Sequence, residues 1–235
     1  MKRTVLITGT SSGIGKAIAE NLLMDGNRVI GLARNSGQIN TEHRDFHPIP
    51  IDLSELKSLP ENLKRINQQF SPIDTLVLCA GHGRFGSLEE FSYQQINKSI
   101  DLNFTSQAYV VRALMPNLKR SKSGNIIFIG SEAALQGSRK GSIYCASKFA
   151  LRGFAQALRD ECARSGIRVT IINPGMVKTE FFDELDFQPG DDKENYILPS
   201  DIAEMVSLTL QLRQGTVVEE INCSPLKKVV RSKSN

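Results

Sequence analysis

The chain has 235 residues, 40% of them hydrophobic and 23% charged, with a net charge of +4. That length and balance fit one domain with a sizeable core, and so small a charge gives no argument for a nucleic-acid partner. Cys79, Cys145, Cys162 and Cys223 show no Cys-x-x-Cys pair or metal-ligand spacing, and no apolar run is long enough for a bilayer. No metal and no membrane partner is therefore expected. Thr4-Val5-Leu6-Ile7, after Met1-Lys2-Arg3, is too short for a signal-peptide core, so a cytoplasmic location with reduced thiols is the simplest expectation.

Apolar runs alternate with helical patterns along the chain. Thr4 to Ile7 reads as a buried strand, and Ile14, Ala17, Ile18 and Leu22 follow at helical spacing until Gly26-Asn27 ends the helix. Val29 to Leu32 is a second strand and His47 to Ile51 a third. Asp52-Leu53-Ser54 offers caps for a helix running through Phe70. Further strands are expected at Thr75–Leu78, Asn125–Ile129 and Val169–Ile172. A helix bearing Leu151, Phe154, Ala155, Leu158 and Cys162 precedes the last of these. After a helix from Asp201 to Leu212, Val217-Val218 through Ile221 supplies a seventh strand. Such alternation implies a single α/β, doubly wound domain, a parallel sheet of about seven strands with helices on both faces. Its ligand crevice lies outside the carboxyl ends of the strands. The basic closing run from Lys227 to Lys233 reads as a solvated tail.

Thr8-Gly9-Thr10-Ser11-Ser12-Gly13-Ile14-Gly15 joins the first strand to the first helix. Helix N-termini carry unpaired N–H groups and partial positive charge, which suits a pyrophosphate. Gly9 permits the turn, Gly13 lets backbone approach phosphate, and Gly15 allows close helix–sheet packing. Past the second strand the chain reads Leu32-Ala33-Arg34-Asn35, with no acid to accept from ribose hydroxyls. Arg34 can instead meet a 2′-phosphate, so NADP(H) is favoured over NAD(H).

Tyr144-Cys145-Ala146-Ser147-Lys148 sets a phenol four positions ahead of an ammonium, on one helical face. An ammonium ~4–5 Å away, at an effective dielectric of about 20, favours phenolate by roughly 3–4 kcal/mol, against the opposing effect of burial. Ser131 lies thirteen residues upstream at the end of a strand. Together with the glycine turn, these residues resemble the motifs of the short-chain dehydrogenase/reductase family as far as about Thr179. The resemblance implies a Rossmann fold and hydride transfer between a nicotinamide and a small-molecule carbonyl or alcohol. It makes Tyr144 the general acid or base, has Lys148 tune it and bind the nicotinamide ribose, and has Ser131 polarise the carbonyl. Asn103, in Asp101-Leu102-Asn103-Phe104, would order a water leading to Lys148.

The resemblance also implies cofactor contacts at Thr10, Ser11, Ser12 and Ile14 in the turn, and at Asp52-Leu53 beside the adenine. Ala80-Gly81 provides close backbone approach, and Pro174, Gly175, Val177 and Thr179 hold the nicotinamide end. Cys79 departs from the family's asparagine, which puts the local hydrogen bonding in doubt. His82 in the next loop reads as a surface histidine. Substrate loops are expected at Gly83–Leu88, Glu132–Ile143 and Met176–Leu198, the last carrying seven acids that read as a solvated face. Relatives of this kind pair across the helices Phe104–Leu118 and Tyr144–Cys162, so a homodimer or homotetramer is expected, with Phe149, Leu151 and Phe154 adding apolar surface. The ending lacks the Gly-Gly of 3-oxoacyl-carrier-protein reductases and is more similar to NADP-dependent 3-hydroxy-acid dehydrogenases and sepiapterin-reductase-like members. The alternatives are such a carrier-protein reductase, or a non-catalytic NADP-binding regulator.

Overall fold

The computed structural model describes residues 2–35 and 43–233. In chain order the strands are β1 (Thr4–Thr8), β2 (Arg28–Ala33), β3 (Phe46–Pro50), β4 (Thr75–Leu78), β5 (Gly124–Ile129), β6 (Ile167–Pro174), β7 (Phe187–Pro189), β8 (Glu220–Cys223) and β9 (Val230–Ser232). The α-helices are α1 (Gly13–Met24), α2 (Leu59–Phe70), α3 (Tyr93–Ile100), α4 (Ser106–Ser121), α5 (Ser142–Cys162) and α6 (Pro199–Gln211). Seven strands form one parallel sheet in the order β3-β2-β1-β4-β5-β6-β8. This is the doubly wound arrangement expected from the sequence. The strand order reverses beside β1, between β1 and β4, and that switch point opens the ligand crevice.

Strands covered on both faces are apolar throughout, which is why β1, β4 and β5 show no polar alternation. Period-two geometry still decides which side each residue serves. Leu6, Leu76 and Phe128 pack with α2, α4 and α5, through Leu63, Leu114 and Leu158. Val5, Ile7, Val77 and Ile127 face the other way, onto Ile18 and Leu22 of α1 and Ile202 and Val206 of α6. Among the described residues no helix is long and apolar enough to cross a membrane.

Three expectations shift. α2 starts at Leu59 rather than near Asp52, because Pro60 suits a first helical turn and Asp52 instead folds back onto Ser54. The last sheet strand starts at Glu220: the Thr170 hydroxyl donates to Val218 O, and pairing with β6 begins only at Ile171↔Glu220. The basic tail is not a frayed end, since Val230–Ser232 pairs antiparallel with Phe187–Pro189.

Candidate active site

At the end of β1, Gly9 and Gly13 take φ of +77° and +52°, a region that L side chains adopt with strain. A Cβ on Gly15 would stand 2.2 Å from the Gly9 carbonyl oxygen, so α1 can leave the sheet at this angle only with glycine there. Ser12 makes no side-chain cap, and the first turn of α1 holds no acid. Its N–H groups are therefore left to an outside anion, and Gly9 lies against the Ala80 backbone with no side chain between. Thr10 is buried against Gly31. These residues fit a dinucleotide's pyrophosphate.

Ala33 is buried at the end of β2 and Arg34 is exposed just beyond it. The Asp52 carboxylate accepts from the Ser54 hydroxyl at 2.6 Å and the Ser54 N–H at 2.9 Å. Those bonds hold its pKa below the usual carboxylate value, with the Arg34 and Lys98 charges adding to the effect. Leu53 beside it is buried.

The crevice floor continues at the end of β4. Where the sequence left the role of Cys79 in doubt, the backbone is held by other residues. The Thr8 hydroxyl accepts from the Cys79 and Ala80 N–H groups at 2.9 and 3.0 Å, and the Gln107 amide donates to Ala80 O at 2.9 Å. Burial pushes the Cys79 thiol up to about 12, which makes it a neutral space-filler at neutral pH. Asn103 lies in a π-helical stretch, Asp101–Thr105, between α3 and α4, the kind of bulge that helices carry at functional sites. Its side-chain amide accepts from His82 N at 2.9 Å and donates to His82 O at 3.0 Å and to the Ser147 hydroxyl at 3.1 Å. The loop after Gly81 is thereby fixed. His82, read from sequence as a surface residue, is half-buried, its ring 3.4 Å from the Ser99 hydroxyl. Burial, then Arg84 and Arg34, lower its pKa.

Ser131 follows β5 with extended backbone, and its hydroxyl accepts from Ala133 N at 3.1 Å. Tyr144 and Lys148 sit one turn apart near the start of α5, both buried. Lys148 donates to Ile129 O at 3.1 Å and its ammonium stands 5.8 Å from the centre of the Tyr144 ring. Burial pushes Tyr144 up to about 12, and the Ser131 hydroxyl works against that rise. Burial pulls Lys148 down to about 8. Burial thus outweighs the lysine's pull on the phenol that the spacing suggested.

Past β6, Gly175 N donates to Cys223 O, and Val177 bridges to Ile197. Lys178 N donates to Ile197 O and Ile197 N to Met176 O, closing the neck of the loop 176–198. Thr179 leaves that neck with its methyl 3.1 Å from where a Gly13 Cβ would be. The segment from Pro174 to Thr179 thereby brings Thr179 beside the head of α1, with Pro174 and Val177 buried behind it.

The family model for short chain dehydrogenases matches residues 3–189, a span that includes each motif above. The chain belongs to the short-chain dehydrogenase family. Its relatives in this family of oxidoreductases include an uncharacterized oxidoreductase of Staphylococcus epidermidis, 29% identical over 96% of this chain and 98% of the relative. A sepiapterin reductase of Chlorobaculum tepidum is 30% identical over 96% of this chain and 97% of its own. Among solved structures, an alcohol dehydrogenase of the archaeon Thermococcus sibiricus complexed with 5-hydroxy-NADP superposes with a TM-score of 0.83. That protein is 29% identical, covering 94% of this chain and 96% of its own.

Sequence reasoning missed several residues that shape this short-chain dehydrogenase site. Gln107 lies one helical turn from Asn103, a spacing that could have flagged it. Thr8 and Ser147 stand inside the two motifs, but the partners of their hydroxyl groups follow from no spacing. Phe85 and Phe181 reach Tyr144 from two different loops and Phe187 backs Phe85, and nothing in their sequence separation announces it.

Proposed function

We propose that this chain is an NADP(H)-dependent oxidoreductase interconverting a carbonyl and a secondary alcohol on a small molecule, in one Rossmann domain whose segment 176–198 borders the substrate. The observation that carries the reading is the meeting of Ser131, Tyr144 and Lys148 at the crevice that begins with the uncapped head of α1. Bound NADP(H) would supply or accept the hydride. Gly9 to Gly15 would hold its pyrophosphate, Arg34 its 2′-phosphate, and Asp52-Leu53 its adenine end. Ala80, Gly81, Pro174, Gly175, Val177, Thr179, Tyr144 and Lys148 would border the nicotinamide half. In reduction, Ser131 donates to the substrate oxygen and Tyr144 gives that oxygen its proton. Lys148 favours the phenolate that results, against the burial that raises the phenol's pKa. Asn103 fixes the loop that carries Gly81. The Thermococcus sibiricus dehydrogenase, complexed with 5-hydroxy-NADP, supports the cofactor class.

Tyr144→Phe keeps the ring and removes the proton donor. Turnover of a carbonyl substrate falls by at least ~10²-fold while NADPH binding persists. Near-normal turnover in the purified variant rejects the assignment. A charge-assisted contact from Arg34 is worth about 1.5–3 kcal/mol, so NADPH is preferred over NADH by on the order of 10–100-fold. Ala33→Asp with Arg34→Ala reverses that preference, measured as kcat/KM for both cofactors. Equal use of both by the parent chain means that Arg34 points into solvent.

A further inference from the structure

The Tyr144 ring is flanked by phenylalanines from two different loops. Phe85, from the loop after β4, stands 5.3 Å from it, and Phe181, from the short 3-10 turn Glu180–Phe182, stands 6.0 Å away. Phe187 of β7 meets Phe85 edge-on at 5.0 Å. Phe85, Phe181 and Phe187 are only half-buried, whereas Phe182 behind them is 7% exposed and serves the core. Gly83 makes the closure possible, because a Cβ there would lie 2.3 Å from Phe181 and 2.9 Å from Phe85. A carbonyl held at the Tyr144 hydroxyl would lie beside the Phe85 and Phe181 rings, with Phe187 behind Phe85.

The charges of the same loop stay at the surface. Glu180, Asp183, Glu184, Asp186, Asp191, Asp192 and Glu194 are all exposed. Asp191 pairs with Arg231, Glu194 with Lys227, and Glu132, next to Ser131, with Lys228. Edge-on and tilted rings at these separations accept a further aromatic ring in the same geometry. An anionic substrate would lose its hydration among phenyl edges, which offer it no hydrogen bond.

Resting on the oxidoreductase reading above, we propose that the substrate is a neutral carbonyl compound bearing an aromatic ring, and that Phe85, Phe181 and Phe187 set this specificity. The test is NADPH oxidation by the full chain with three compounds sharing an α-dicarbonyl unit: 1-phenyl-1,2-propanedione, 2,3-butanedione and pyruvate. The phenyl compound is expected to exceed both others in kcat/KM by at least ~10-fold, the scale on which an apolar pocket discriminates. Phe187→Ala should lower the phenyl-to-methyl ratio about fivefold or more, chiefly through KM. Phe187→Leu keeps most of the volume and decides the matter if the alanine variant no longer binds NADPH. Butanedione or pyruvate reduced as well as the phenyl compound, or a ratio unmoved in a folded Phe187 variant, overturns the specificity. NADPH binding without turnover of any of the three overturns the carbonyl-reductase reading, and the specificity with it.

Discussion

Lys148 is a buried ammonium whose one hydrogen-bond acceptor among the described residues is a neutral carbonyl, Ile129 O, and burial lowers its pKa from 10.5 to about 8. Because the folded value lies below the unfolded one, the charge penalises the fold fully below about pH 8. The penalty fades as pH rises toward 10.5, where the unfolded chain loses its proton too. Lys148→Met is therefore expected to gain roughly 1–3 kcal/mol of stability at pH 7, a gain that shrinks by pH 10. The same change should abolish turnover, a trade between stability and activity common at functional sites. Denaturant unfolding of parent and variant at the two pH values checks this, and equal midpoints at pH 7 refute it. Tyr144 sits in the same bind with opposite sign: burial keeps its proton on, so the phenolate needs more positive charge than Lys148 alone supplies.

The pairing of β7 with β9 turns two unremarkable charge runs into one strap. Lys233 N donates to Asp186 O, Gly190 N to Val229 O and Lys227 N to Glu194 O, so the tail is sewn to the loop by backbone as well as by ion pairs. The ion pairs are exposed and individually worth about 0–1 kcal/mol, less at high salt. The backbone bonds carry the protection. Removing residues 227–235 should speed hydrogen exchange at Gly190 and its neighbours in 183–195 by about tenfold or more, while amides of β1, β4 and β5 stay as slow as before. Unchanged exchange in that loop would mean that its own turns hold it. At the far end of the sheet, Arg3 and Arg168 donate to carbonyl oxygens at the end of α6 and steady the helix that backs α1.

The outer side of α5 is where we propose that two copies of the chain meet. Leu151 and Phe154, counted from sequence as spare apolar surface, turn inward: Leu151 is fully buried and Phe154 packs edge-on against Phe104 and Phe128. What remains outside is Ala146, Phe149, Ala150, Gly153 and Ala157, with Phe149 43% exposed and nothing within 4 Å of where a Gly153 Cβ would be. A row of small residues around one ring lets two such helices approach closely. Light scattering at micromolar concentration should give a dimer or tetramer mass, and Gly153→Arg should shift it toward the monomer. A monomeric parent at that concentration counts against the assembly.

The glycine turn, the strand–helix alternation, Ser131 and the Tyr144–Lys148 pair were legible in the sequence. Each depends on local rules: positive φ that needs glycine, period-two or helical spacing, and a single helical turn. On those grounds the chain by itself determined its parallel sheet, its crevice and its family. Only the tertiary structure decided what surrounds the phenol and what holds the loop over it. Phe85 meets Tyr144 across 59 positions (144 less 85), and Lys228 meets Glu132 across 96. The start of α2 at Leu59 and of β8 at Glu220 were likewise fixed by partners, Ser54 folding onto Asp52 and Thr170 taking Val218 O. Long-range contacts of this kind depend on how loops close over a finished sheet, and side-chain shape rather than sequence pattern selects them.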